Sequence, residues 1–243
     1  MMICITCKQD SSSIQICDSC AGKLVVARNK YSYPPVYVKD YSGIISYDQF
    51  ETTGEVESYN RKLLASDDQE EVFRGLCSVI FWGFFSHGKN FALNRVDWFL
   101  HGNGNKRGLD QINKDYAELM INSAVSLIDR GNSTDAIRGI AEIPWLMQVS
   151  FSSKVCMFIN PDACAVHDSQ IHKRFNFISP NSGGVSKQKA KKYQIYCDYL
   201  GDLATALNSG IKLGREWLWL DELNQAQQWR IADVERAFFS LRD

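Results

Sequence analysis

The sequence predicts a mainly α-helical protein, with one large helical body and a small cysteine-rich appendage at its N-terminus. Three observations support this. Apolar residues recur about every 3.6 positions through most of residues 56–243. Alternating apolar and polar residues are rarely sustained. Hydrophobic residues at 45% and charged residues at 23% allow a sizeable core in a chain of 243 residues. We therefore expect a compact multi-helix domain.

Charge and hydropathy exclude some classes of protein. Lys and Arg number 27 against 28 Asp and Glu, and this net charge of −1 excludes a polycationic nucleic-acid coat while allowing a local basic face. The most apolar stretch, residues 77–85, is far shorter than the roughly 18 residues that a membrane helix needs. The first residues lack the features of a signal peptide. We expect a soluble, cytoplasmic protein without a membrane partner.

The eight cysteines divide into an N-terminal cluster and a scattered background. Two C-x2-C pairs separated by nine residues can place four thiolates around one Zn²⁺, which predicts a zinc ribbon over residues 1–23. A redox dithiol and an iron–sulfur cluster are weaker alternatives. Four thiolates leave no open metal position, so this zinc would be structural. The zinc ligands would be Cys4, Cys7, Cys17 and Cys20, and the expected core cysteines are Cys77, Cys156, Cys164 and Cys197.

The remaining elements follow from periodicity and from turn residues. Residues 24–55, with Pro34-Pro35 and five tyrosines before residue 48, should form a linker or short strands. Asp67-Asp68 should cap a helix, and the Gly- and Asn-rich residues 101–108 should form a loop. The predicted helices span residues 56–65, 70–86, 94–100, 110–129, 134–142, 147–159, 165–177, 186–208, 216–223 and 231–241.

One segment combines residues that can carry chemistry. Lys154 lies in a predicted helix of apolar and small residues, where burial would favour the neutral, nucleophilic amine. Asp168 follows fourteen positions later, at a predicted helix start. From the pattern alone, Asp168 can equally be an ordinary helix cap, and Lys154 can extend its amine to solvent. The two residues are therefore a candidate catalytic pair with structural alternatives.

The same segment carries a resemblance to a known family. Ser153-Lys154, a hydrophobic helix, Asn160-Pro161-Asp162 and then Val166-His167-Asp168-Ser169 resemble the core of the 8-oxoguanine DNA glycosylase-like branch of the helix-hairpin-helix DNA glycosylases. Residues 77–84 and 229–239 resemble segments of compact bacterial members more weakly. The resemblance covers about residues 56–243 and leaves out the cysteine cluster.

The resemblance implies excision of a base from DNA. The target nucleotide would flip out of the duplex, and Lys154 would attack C1′ of its sugar and expel a damaged or modified base. The resulting Schiff base can undergo β-elimination, which is an AP lyase step. Asp168 would stay ionised and stabilise positive charge on the sugar. Damaged purines such as 8-oxoguanine are the family expectation, and a hypermodified base in foreign DNA, as in phage defence, is a second hypothesis.

The hairpin before Lys154 departs from the family pattern. The family holds a DNA phosphate with a Gly-x-Gly turn, whereas residues 145–150 contain no glycine, and the spacing between Lys154 and Asp168 is shorter than in eukaryotic relatives. DNA contacts are therefore expected elsewhere, in an acid-free stretch that could also be a solvated helix face. Its basic residues are Lys173, Arg174, Lys187, Lys189, Lys191 and Lys192.

Aromatic residues and one histidine are candidates for a base pocket, with a core position as the alternative for each. They are Trp82, Trp145, Phe151 and His167, with Trp217 as a further aromatic candidate.

A second hypothesis is a catalytically inactive adaptor that keeps the glycosylase fold and the zinc ribbon and binds DNA or a protein. It predicts loss of function on Cys4→Ser rather than on Lys154→Ala. A zinc-dependent hydrolase is disfavoured because four thiolates would close the metal site.

Overall fold

Helices make up most of the protein, as the sequence predicts. The computed structural model describes residues 16–104, 107–111, 114–176 and 178–241, and this part of the chain contains ten α-helices. The helices are α1 (Asp18–Asn29), α2 (Thr53–Leu64), α3 (Gln69–Phe84), α4 (Lys89–His101), α5 (Lys114–Asp129), α6 (Ser133–Ile140), α7 (Val149–Ile159), α8 (Ser169–Phe175), α9 (Lys187–Lys212) and α10 (Ile231–Ser240). Two antiparallel hairpins complete it, formed by β1 (Val36–Asp40) with β2 (Ser46–Gln49) and β3 (Trp219–Leu220) with β4 (Ala226–Gln227).

Side-chain caps determine where several helices begin. The Asp68 carboxylate accepts a hydrogen bond from the Glu70 N–H at the start of α3, as the sequence predicts. Thr52 and Glu55 form a reciprocal capping box at α2. Ser186 caps α9 through the Lys189 N–H. Each cap satisfies backbone donors that would otherwise lack an intrahelical partner.

The core is centred on α3 and α7. Helix α3 packs against β1, α2, α4, α5 and α7, and its residues 75–82 are all buried. Residues 152–159 of α7 are also buried without interruption. The four scattered cysteines lie in this interior, at 0–1% exposure, which confirms that prediction. Among the described residues, none of the helices has the length and apolar character needed to cross a membrane.

The N-terminal described segment is a helix that packs on the body. Helix α1 runs through the predicted boundary between residues 23 and 24, and Ala21, Leu24 and Ala27 are buried where it contacts α10. Short strands follow it, as expected for residues 24–55. Cys4, Cys7 and most of the predicted zinc ribbon lie outside the described residues.

The helix predicted over residues 216–223 is wrong, because this stretch belongs to the β3–β4 hairpin. Asp221 fixes the turn by accepting hydrogen bonds from the backbone N–H groups of Leu223 and Gln225. Trp217 lies in the core and packs on Gly210, where a Cβ atom would overlap its ring. Packing of the tryptophans therefore outweighs the local helical periodicity.

Candidate active site

Helix α7 carries Lys154 into the interior. The lysine is 5% exposed, and its Nζ atom lies 3.3 Å from the Ser150 carbonyl oxygen and 3.4 Å from the Ser150 hydroxyl. The apolar and small residues of α7 that made this helix a candidate are the ones that bury it between its neighbours. Because the side chain is buried and its amine contacts Ser150, the lysine does not extend along the helix surface to solvent.

Gly83 of α3 makes room for this lysine. A Cβ atom at position 83 would lie 2.9 Å from the Phe151 ring and 3.0 Å from Lys154 Cδ. Any larger residue would therefore displace the lysine stem or the phenylalanine. The close approach of α3 and α7 at this glycine sets the position of the amine.

Asp168 lies opposite the amine at the start of α8. Its Oδ1 atom accepts hydrogen bonds from the backbone N–H groups of Gln170 and Ile171, at 2.9 and 3.2 Å. Its Oδ2 atom lies 3.5 Å from Lys154 Nζ. One carboxylate oxygen therefore caps the helix while the other faces the lysine, so a capping role and a contact with Lys154 are compatible.

Three hydrogen bonds with other elements hold the segment before Asp168 in place. The Tyr193 and Tyr196 hydroxyls of α9 donate to the carbonyl oxygens of Ala165 and Val166, at 2.8 and 2.9 Å. The His167 backbone N–H donates to the Ser153 hydroxyl, at 3.0 Å. These buried bonds hold the carboxylate in register with Lys154 on the facing helix.

The environment of Asp168 favours its ionised form. Burial by itself would raise the pKa of this carboxyl, but the Lys154 ammonium and the two backbone N–H donors outweigh burial and lower the pKa. Asp168 is therefore an anion at neutral pH. It can stabilise a positive charge that develops beside it.

The pair faces a large cavity. The cavity has a volume of about 1630 Å³ and is bounded by α1, α3, α7, α8 and α10. Trp82 and Phe151, two of the residues predicted for a base pocket, line this cavity. Tyr33 contributes a further ring, which lies 4.7 Å from that of Trp82, and its hydroxyl donates to the Trp82 carbonyl oxygen. The walls thus combine flat aromatic faces with the charged pair.

Two residues predicted for the base pocket lie elsewhere. His167 is fully buried behind Asp168, with its ring 5.0 Å from that of Tyr196, because its side chain faces α9 and not the cavity. Burial lowers the pKa of His167 to about 4, so the ring is neutral at pH 7. Trp145 lies on the turn before α7, beside Trp98. The described residues that line the cavity include neither of them.

Glu235 of α10 is a cavity residue that the sequence analysis missed. It is 4% exposed, and burial together with the Asp168 carboxylate raises its pKa to about 8, although Arg236 and Lys154 oppose the change. A neutral carboxyl group can donate a hydrogen bond, whereas ionised Asp168 can only accept one. The signal was available, because Asp233, Glu235 and Arg236 interrupt an otherwise apolar helix.

The six basic residues predicted to bind DNA lie in three different places. Lys173 and Arg174 of α8 line the large cavity. Lys189 and Lys192 line a second depression of about 460 Å³, and the Lys189 amine donates to the carbonyl oxygens of Ser182 and Gly184. Lys187 and Lys191 are exposed near the start of α9. Of these six basic residues, only the two on α8 lie at the candidate active site.

The second C-x2-C pair opens α1 at the edge of the same cavity. Cys17 is the N-cap of this helix, and Cys20 lines the cavity one turn later. Hydrogen bonds from the backbone N–H and thiol of Cys20 lower the pKa of Cys17, which favours the thiolate that zinc binds. Zinc binding by this pair stays a prediction, because the other two expected ligands, Cys4 and Cys7, lie outside the described residues. Within the described residues, no group of three or more His, Cys, Asp or Glu side chains is arranged to hold a metal.

Comparison with known proteins adds no family to this geometry. No protein-family model matches the chain, and neither a curated protein nor a solved structure is significantly similar to it.

Proposed function

We propose that this protein is a DNA glycosylase that uses Lys154 as its nucleophile. The observation that carries the proposal is the ion pair of buried Lys154 with half-buried Asp168, 3.5 Å apart, at the wall of a cavity of about 1630 Å³. Pockets for small ligands are commonly about 300–1000 Å³. This cavity is therefore large enough for an extruded nucleotide, including one with a bulky base. Lys173 and Arg174 add positive charge at the cavity for the neighbouring phosphates.

The proposed reaction begins when the Lys154 ammonium releases a proton to solvent and the free amine attacks C1′ of the extruded nucleotide. The new N–C1′ bond forms as the glycosidic bond breaks, the bonding electrons leave with the base, and the base takes up a proton from the new secondary ammonium. Opening of the sugar ring converts the adduct into an imine. Water then releases an abasic site, or loss of a C2′ proton expels the 3′ phosphate and cuts the strand.

The other charged groups have separate tasks in this scheme. Asp168 remains ionised and stabilises the positive charge that the sugar acquires as the base departs. Glu235 is protonated near neutral pH and can donate a hydrogen bond to an acceptor on the base. The rings of Trp82 and Phe151 offer faces for stacking. The substrate class that fits is a damaged or modified base in DNA.

Borohydride trapping tests the proposal. The protein is incubated with oligonucleotides that carry different modified bases, in single-stranded and duplex form, and sodium borohydride reduces any imine to a stable protein–DNA adduct. We expect an adduct with at least one substrate, and we expect mass spectrometry to locate it on Lys154. Free base and abasic sites should appear in the absence of borohydride.

The matched control is Lys212→Ala, which removes an exposed lysine at the end of α9. This variant should trap like the wild type, whereas Lys154→Ala should trap nothing. Adducts that survive Lys154→Ala would contradict the proposal. DNA binding with no base release from any substrate would favour the inactive adaptor.

A further inference from the structure

A row of aromatic side chains lies beside the cavity, with two of its members exposed and three half-buried. It comprises Phe84 at the end of α3, His87 in the following turn, Phe91 and Trp98 of α4, and Trp145 on the turn before α7. Neighbouring rings lie 5.3 Å apart for His87 and Phe91, 5.7 Å for Phe84 and Phe91, and 6.4 Å for Trp98 and Trp145. We call these five residues the aromatic row.

Arg95 lies within this row. Its guanidinium carbon is 5.2 Å from the centre of the Phe84 ring, 4.6 Å from that of Phe91 and 4.4 Å from that of Trp98. Among the ion pairs that the described residues form, none includes Arg95. Its charge is therefore available to an anion, and the rings keep the guanidinium plane in place.

The aromatic row is continuous with the candidate active site. Phe84 and His87 also line the cavity, and the Phe84 ring lies 4.6 Å from the Phe151 ring. Phe151 in turn lies 5.2 Å from Lys154 Nζ. A strand whose flipped nucleotide reached Lys154 would therefore pass these rings with its neighbouring nucleotides.

Trp145 has a backbone conformation that is unfavourable for a residue with a large side chain. Its φ of 71° lies in the left-handed region, which favours glycine. The indole N–H donates to the Arg107 carbonyl oxygen at 3.1 Å, and this bond fixes the ring against Trp98. The turn that carries Gly-x-Gly in the glycosylases that the sequence resembles thus presents a large flat ring here.

Flat rings and a guanidinium without an ion pair are the chemistry that binds unpaired bases. Replacing an aromatic side chain on which one base stacks by alanine weakens binding by about 5- to 150-fold, and bases within a duplex are already stacked on each other. His87 and Phe91 are exposed and can be reached by such bases. We propose that the aromatic row binds the unpaired nucleotides that flank the target, so that the protein acts on single-stranded DNA. This inference rests on the proposed function for the identity of the strand.

Fluorescence anisotropy with an unmodified labelled oligonucleotide tests the inference. We expect the wild type to bind the single strand at least about 10-fold more tightly than the same sequence in a duplex. Phe91→Ala and Arg95→Ala should each weaken single-strand binding at least about 5-fold. Phe91→Tyr keeps the aromatic ring and should bind the single strand like the wild type. Leu119→Ala is the matched control, since Leu119 is an apolar residue of α5 that is 60% exposed.

The remaining outcomes separate this inference from the proposed function. Lys154→Ala should bind the single strand like the wild type while losing the borohydride adduct. Equal affinity for both forms of DNA, or full binding by Phe91→Ala and Arg95→Ala, would overturn the inference even if base release is observed. Tighter binding of RNA than of DNA of the same sequence would also overturn it. Single-strand binding without any trapped adduct would leave the aromatic row supported and refute the glycosylase.

Discussion

Two groups of buried charges in this protein are built in opposite ways. In the first, which we call the ion network, Asp233 pairs with Arg28 at 3.1 Å, Arg230 at 2.7 Å and Arg236 at 3.3 Å. Glu57 pairs with Arg230 and Arg236. In the second, Lys154 and Asp168 share one contact of 3.5 Å and face a cavity. A buried charge with several ionic partners holds elements together, whereas a pair with a single ionic contact beside a cavity is a candidate for chemistry.

Two carboxyl groups on α10 show the same difference within one helix. Burial would raise the pKa of Asp233, but Arg230, Arg28 and Arg236 outweigh it and lower the pKa. Glu235, two residues later, faces the cavity, and its pKa is raised to about 8. The network therefore fixes α1, α2 and α10, and the opposite side of the same helix supplies a neutral acid to the cavity. The two carboxyl groups are close along the chain, and they differ because arginines neutralise the charge of Asp233 whereas Glu235 lies at the cavity.

The largest expected effect is on activity and not on stability. Lys154→Met should lower the rate of base release at least about 1000-fold, which is about 4 kcal/mol in activation free energy. The free energy of unfolding should change by less than about 1 kcal/mol, because Asp168 keeps its two backbone donors and faces the cavity. Single-turnover kinetics and urea denaturation measure the two quantities. A large loss of stability would place Lys154 with the structural charges.

The ion network should respond in the opposite way. Asp233→Asn leaves two buried arginines, Arg28 and Arg236, and the half-buried Arg230 without their shared carboxylate, so we expect a loss of about 3–5 kcal/mol in the free energy of unfolding. Urea denaturation followed by circular dichroism measures it. Asp202→Asn, an exposed position on α9, should change stability by less than about 0.5 kcal/mol. Similar losses in the two variants would refute the structural role of the network.

Gly83→Ala should affect both stability and activity. The new methyl group would overlap Phe151 and the Lys154 stem, with a cost of about 1–3 kcal/mol in stability. Displacement of the amine should slow base release about 10- to 100-fold. The control is Gly139→Ala in α6, where the nearest atom to a new Cβ is Met120 Sδ at 3.9 Å. Unchanged base release in Gly83→Ala would show that the α3–α7 approach does not position the lysine.

The smallest expected effect is a dependence of stability on pH. The pKa of Glu235 is about 8 in the folded protein, against an ordinary value of 4.5. The contribution of this raised pKa to the free energy of unfolding is therefore complete below about pH 4.5 and is lost as the pH rises through about 8. The decline should approach about 1 kcal/mol per pH unit. Denaturation midpoints between pH 7 and 8.5 measure this decline. Glu235→Gln should flatten the curve, and an equal decline in that variant would assign it to another group.

Much of the helical body could be predicted from the sequence. Periodicity located α3, α5 and α10 to within a few residues, and Asp68 was recognised as a helix cap. Lys154 and Asp168 were chosen from their local surroundings, and the structure places them in contact. The helix expected over residues 216–223 failed because packing of Trp217 and Trp219 outweighs local spacing. Helix α1 was missed because its burial against α10 joins residues about 200 positions apart.

The sequence by itself determined that this chain forms helices around an apolar core, and it indicated a lysine in an apolar helix followed by an aspartate at a helix start, with the burial of the lysine left open. Periodicity and caps are local properties, so they can be read along the chain. The tertiary structure alone decided that these two residues face a common cavity, that Glu235 joins them as a neutral acid, and that Arg95 lies among the rings of the aromatic row. Those arrangements depend on contacts between distant elements, where burial and neighbouring charges decide what each group can do.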